Sequence, residues 1–134
     1  MRVYEFGVEN KETFVMFPCA AEPWWVFKAS AEAMARDCHV YLFIADGHDE
    51  QGTEFISIEK NVRDAADYLR KNGVGHVESM YGVSMGGASV IRFLATEDIG
   101  VDNSHLFKTP TNREVLKSLH HGNARKQRIL TLTQ

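Results

Sequence analysis

Apolar and polar positions change period several times along this chain, and each change marks an element. Residues 3–6 read as a short edge-like strand. Thr13-Phe14-Val15-Met16-Phe17 is apolar throughout and ends at Pro18, which predicts a buried strand. The run 39–45, His-Val-Tyr-Leu-Phe-Ile-Ala, is the strongest strand signal, continuous as parallel strands covered on both faces are. Between the two, 24–36 reads as a helix with Trp25, Ala29, Ala33 and Ala35 on a partly apolar face. Ile58, Val62, Ala65 and Leu69 then recur at helical spacing, with Lys60, Arg63, Asp64, Asp67 and Arg70 mostly elsewhere. Ser57 is placed to cap that helix and Asn72-Gly73 to stop it. A strand over 77–81 and a helix over 88–95 follow. Helices that separate apolar strands predict right-handed crossovers and an open, mostly parallel sheet with helices on both faces.

The pattern weakens after Ala95. Ile99-Gly100-Val101 has the character of a strand start, but Asp102-Asn103-Ser104-His105 is polar. Residues 112–119 suit a short helix with Val115, Leu116 and Leu119 inward, and 129–132 a last strand, whereas 121–128 is basic and looks exposed. The sequence therefore divides into 1–103, an α/β unit, and 104–134, a tail for which loose packing fits as well as those elements do.

The candidate chemistry sits at Gly82-Val83-Ser84-Met85-Gly86-Gly87. Gly-x-Ser-x-Gly between a strand and a helix is the pattern of a nucleophile elbow, a sharp turn that lifts the serine hydroxyl out of the sheet. Gly82 and Gly86 flank the serine because side chains would clash in so tight a turn. Met85 opens the helix with a free backbone N–H that can hold a developing oxyanion. The bare pattern arises by chance roughly 0.04 times in a chain of this length. Its flanking strand and helix lower that further.

Composition narrows the field. A net charge of −3 and the lack of a recurring basic face speak against nucleic acid. Glu5 interrupts the start where a signal peptide needs an apolar core, and no apolar run is long enough to span a membrane, so a cytoplasmic protein is expected. Cys19 ends one predicted strand and Cys38 precedes the next, about 15–20 Å apart in a parallel sheet. That is too far for a disulfide, so two reduced, buried thiols are expected. Neither has zinc spacing, and no metal or cofactor is expected.

With these residues in place, the chain resembles the first half of an α/β-hydrolase over residues 1 to 103. It is closest to small bacterial serine hydrolases. Asp46-Gly47-His48 matches their Asp-Gly-His after the fourth strand, Gly82 to Gly87 their elbow, and Glu54-Phe55-Ile56-Ser57-Ile58-Glu59 their approach to the next helix. The resemblance implies a three-layer sandwich, incomplete at its C-terminal end, and no cofactor. It implies Ser84 as nucleophile, with the N–H groups of Ala20 and Met85 as the oxyanion hole.

The match departs from the family in two places. Pro18-Cys19-Ala20 stands where the family has His-Gly-x. The family's catalytic acid and histidine follow later strands, in the order Ser…Asp/Glu…His, and this chain ends before them. Asp102 comes too early to be the acid. His105, His120 and His121 follow the serine in unlike surroundings, where surface histidines are the expectation. His48 belongs to the loop after the fourth strand and is not at the family's base position. Pro23-Trp24-Trp25 fits the family's aromatic helix start, and core packing explains it equally well.

Two functions follow. One is a serine hydrolase acting on an ester or related acyl group, crippled by truncation. The other is a non-catalytic α/β module that binds a small anion at the elbow helix or a partner chain at an exposed sheet edge, including a second copy of itself.

Overall fold

The structure, a computed structural model, describes residues 1–109 and 128–132. Six strands form one sheet in the order β1-β3-β2-β4-β5-β6, with β1 Arg2–Phe6, β2 Glu12–Phe17, β3 Cys38–Ile44, β4 His76–Val83, β5 Gly100–Phe107 and β6 Arg128–Leu132. Only β1, at one edge, runs antiparallel, pairing Arg2 with Ile44 and Phe6 with Val40. The other four pairings are parallel. The α-helices among the described residues are α1 Lys28–Met34, α2 Ile58–Lys71 and α3 Met85–Thr96. The expected open, mostly parallel α/β sheet is thus observed, and the sheet runs on without a break at residue 103.

Side-chain alternation explains the layers. Val15 and Phe17 of β2, Tyr41 and Phe43 of β3 and Met80 of β4 face one side, where Val62 and Leu69 of α2 and Val90 and Phe93 of α3 pack on them. Phe17 is the hub, with its ring centroid 5.6 Å from Phe43 and 6.4 Å from Phe93. Phe14, Met16, Val40, Leu42 and Ile44 face the other side and meet Phe27 and Ala31 beside α1. This second cluster is smaller, because α1 is short and only Ala31 of it is buried.

Helix α2 forms as its period predicts. Ser57 caps it, its hydroxyl accepting the Lys60 N–H at 3.1 Å, and Val62, Ala65 and Leu69 are buried. Three expectations need correction. Residues 24–36 are not one helix: Trp24–Phe27 is a 3-10 turn that leads into α1. The tighter winding changes the inward face, so Phe27 and Ala31 are buried while Trp25, Ala29 and Ala33 are exposed. The polar stretch 102–105 lies inside β5, held by its neighbour β4: Asn103 Nδ2 donates to the Glu78 carbonyl at 3.2 Å, and His76 Nε2 lies 3.0 Å from Asp102. Cys19 and Cys38 are free, as expected, but partly exposed rather than buried. The expected last strand is observed as β6. The expected helix at 112–119, with His120 and His121, lies outside the described residues. No helix among the described residues is long and apolar enough to cross a membrane.

Replacing Phe93 with alanine is expected to cost about 3–5 kcal/mol, because a fully buried ring leaves a cavity against Phe17. Trp25→Ala, at a 61% exposed position, should change stability by less than about 0.5 kcal/mol. Urea unfolding of both variants checks the contrast.

Candidate active site

Ser84 lies between β4 and α3 with φ 52° and ψ −115°, a conformation that L side chains rarely adopt. Holding a non-glycine residue there costs on the order of 1–3 kcal/mol, and the surrounding contacts impose it. A Cβ on Gly82 would stand 2.5 Å from the Gly86 carbonyl oxygen and 2.7 Å from Gly87 Cα. A Cβ on Gly86 would overlap the Phe17 carbonyl. The end of β2, the end of β4 and the start of α3 therefore meet backbone to backbone. The Ser84 N–H donates to the Phe107 carbonyl at 3.0 Å, which ties the turn to β5 as well.

The Ser84 side chain is exposed at the carboxyl edge of the sheet. The Ser84 carbonyl accepts from Gly87 at 3.0 Å and from Ala88 at 3.3 Å. The N–H groups of Met85 and Gly86 come first in the helix and so have no acceptor within it. Beside Met85 is a cavity of about 20 Å³, bordered also by Pro18 and Cys19 after β2, Glu22, His48 and Asn61. Ala20, one residue beyond Cys19, is exposed and does not border it. Burial, then the hydrogen bond and charge of Glu22, push the Cys19 thiol up to about 11, so it stays protonated.

The loop after β3 supplies the opposite wall. Ala45 to His48 form a turn closed by the His48 N–H on the Ala45 carbonyl at 3.0 Å. Gly47 takes its third position with φ 78°, where glycine is favoured. Asp46 is buried behind this turn. It pairs with the terminal ammonium of Met1 and, at 3.3 Å, with Lys60 Nζ. The hydrogen bond from that ammonium, with Lys60 in support, holds its carboxyl below the usual range. Asp49 is lowered too: burial would raise it, but the Thr53 hydroxyl, the Gln51 N–H and the ammonium outweigh that.

The other sequence candidates fall elsewhere. Asp102 sits near the amino end of β5, paired with His76, some six residues or about 20 Å down the sheet from Ser84. His105 is the register partner of Tyr81, half-buried within β5. Trp24 stacks on Tyr4 at 4.1 Å, so of the aromatic pair this one packs and Trp25 does not. No hydrogen bond joins Ser84 Oγ to another side chain among the described residues, and no group of three metal-ligating side chains occurs among them. Sequence reasoning gave little weight to His48, although its Asp-Gly-His setting signalled a tight turn beside the site.

No protein-family model matches this sequence, and no curated protein does. Solved structures do. A Desulfitobacterium hafniense protein provisionally assigned to the α/β hydrolase family is 18% identical, with a TM-score of 0.75 over 81% of this chain and 44% of its own. An enol-lactonase from Burkholderia xenovorans LB400 is 16% identical, with a TM-score of 0.70 over 81% of this chain and 43% of its own. A thermophilic esterase from Thermogutta terrifontis is 18% identical, with a TM-score of 0.70 over 87% of this chain and 44% of its own. The chain has the α/β-hydrolase fold over the part that it contains, and it spans less than half the length of these structures.

Two outcomes test this geometry. Gly86→Ala is expected to cost about 3 kcal/mol or more, since the carbonyls it meets belong to backbone and cannot swing aside. Gly75→Ala, in open space, should be neutral or stabilising by up to about 1 kcal/mol. Denaturant midpoints compare them. The lowered Asp46 carboxyl contributes stability that is fully present above its unfolded pKa of about 3.9 and is lost as pH falls through its lower folded value. Stability measured from pH 6 to pH 2 should therefore fall from about pH 4 downward, less steeply in Asp46→Asn.

Proposed function

We propose that this chain carries the nucleophile of a serine hydrolase acting on an ester or related acyl substrate. The observation that carries the reading is the Ser84 backbone, held at φ 52° and ψ −115° with its side chain exposed. A merely structural turn gains nothing from a side chain at such an angle, whereas a nucleophile needs one there. Ser84 Oγ attacks the acyl carbon, and the N–H of Met85 donates to the oxyanion that develops. Each such donor is worth roughly 3–4 kcal/mol in enzymes where it has been removed. Ala20 N–H is the second donor of this reading. The hydrolase-type fold of the solved structures supports it too.

Among the described residues no side chain is hydrogen-bonded to Ser84 Oγ, so slow turnover is expected in this reading unless a base is supplied from elsewhere. The loss of a triad member typically lowers catalysis by about 10⁴-fold, leaving what the oxyanion donors and binding supply. The alternative, an anion-binding module, is built on the first N–H groups of α3, which have no acceptor within the helix.

Incubation with a fluorophosphonate and an activated ester separates the two. The hydrolase reading expects covalent labelling at Ser84 and a slow ester hydrolysis, both abolished in Ser84→Ala. A chain that binds phosphate with no labelling at Ser84 is the module instead.

A further inference from the structure

We propose that Thr109 is a positioning residue for Ser84, its hydroxyl holding in place the carbonyl that anchors the serine turn. This rests on the reading of Ser84 as the nucleophile. Ser84 lies one residue past the end of β4, and backbone hydrogen bonds hold its strained φ of 52° from both sides. Its carbonyl accepts from Gly87 and Ala88, and its N–H donates to the Phe107 carbonyl at 3.0 Å. The Thr109 hydroxyl donates to that same Phe107 oxygen at 3.2 Å. A carbonyl oxygen has two lone pairs, so both donors are served at once. Two hydrogen bonds thus join Thr109 to the backbone of Ser84 through one atom.

The second glycine after the serine records where Thr109 sits. The elbow pattern requires Gly82 and Gly86 but places no demand on Gly87. A Cβ on Gly87 would overlap the Thr109 hydroxyl and stand 2.6 Å from Thr109 Cβ and Cγ2. The Thr109 side chain therefore rests on the first turn of α3, beside the helix that Ser84 opens. Lys108 turns the chain so that it can. Its φ of 47° lies in the left-handed region that L side chains rarely adopt, and its ammonium lies 5.3 Å from the Phe107 ring. Such a conformation persists only where neighbouring contacts impose it. The bond from Thr109 back to Phe107 is such a contact, a threonine hydroxyl closing a short turn on nearby backbone.

The consequence for the reaction is one of orientation. The plane of the Phe107–Lys108 peptide follows the φ of Lys108, and that plane carries the oxygen that receives the Ser84 N–H. Releasing Lys108 from φ 47° swings the carbonyl away from Ser84. The serine then relaxes toward dihedrals that L residues prefer, and Oγ moves with it. A nucleophile reacts well only from a near-attack geometry, so a small displacement lowers the rate without changing what binds. Thr109 touches neither the acyl group nor the proton in this scheme. It acts through Phe107 on the backbone of Ser84.

The test compares the wild type with Thr109→Val, which removes the hydroxyl and keeps the shape against Gly87, and Thr109→Ser, which keeps the hydroxyl. Ser84→Ala is the labelling control. Fluorophosphonate labelling at Ser84 is followed against reagent concentration, together with hydrogen exchange at the N–H groups of Ser84, Val90 and Phe93. Thr109→Val is expected to lower the maximal labelling rate about 5–10-fold and leave the half-saturating concentration unchanged. Exchange at Ser84 should quicken by a similar factor, with Val90 and Phe93 as in the wild type. Thr109→Ser should behave as the wild type in both. Unchanged labelling and unchanged Ser84 protection in Thr109→Val overturn the role of Thr109 and leave the nucleophile standing. Exchange that quickens equally at Val90 and Phe93 does the same, because it signals loosened packing of α3. No labelling at Ser84 in the wild type overturns the nucleophile and the positioning role together. If Thr109→Val fails to fold, Thr109→Ser decides: wild-type behaviour supports the hydroxyl, and a 5–10-fold loss overturns it.

Discussion

The contact between Gly86 and the Phe17 carbonyl is the constraint on which the rest of this structure depends. It lets helix α3 start against the end of β2, a separation that any side chain would widen. The helix axis is thereby fixed, and Val90 and Phe93 land on the cluster around Phe17. The same approach brings Met85 beside Pro18 and Cys19 in the loop that follows β2. Core packing and the site thus share one cause. Interiors packed at crystal-like density transmit such a displacement instead of absorbing it, so the elbow cannot be loosened without disturbing the larger core.

What the sequence reveals divides along the range of the forces involved. The elbow is legible because its sterics are local: two glycines, one serine and the flanking periods suffice. Strands β2 and β3 are legible because burial on both faces writes a continuous apolar run. Helix α2 is legible from its period and from Ser57. Strand β5 is not, since Asn103 and Ser104 enter the sheet through pairing with β4, which no local pattern records. The division of 24–36 into a 3-10 turn and a short helix is hidden for a similar reason, because the stacking of Trp24 on Tyr4 brings in a strand twenty residues earlier. In the site, Ser84 and Met85 are readable by position. The orientation of His48 is not, because a tautomer follows from the partner of one nitrogen and not from a motif.

Among the described residues the two faces of the sheet are unequally covered. Helices α2 and α3 bury the face of Val15, Phe17, Met80 and Leu106, while on the other face α1 meets mainly β3. Tyr81, Asn103, His105 and Phe107 are half-exposed, and Val26 and Met34 of the α1 side stand 44% and 38% exposed near Tyr81. The turn at Ser84 draws nothing from that face. Its walls are β2, β4, β5 and α3, and its opposite loop is anchored on α2 through Asp46 and Lys60.

Two parts of a hydrolase site therefore have different structural requirements. Holding a serine at a strained turn needs only the strand-turn-helix and the strand ends beside it, all present among the described elements. Moving its proton would need a base within reach of the hydroxyl, and in the α/β-hydrolase order that histidine follows the serine along the chain. The first requirement is met by backbone sterics at Gly82 and Gly86, contacts made within the strands and helix already described, so the turn can be built independently of the source of a base.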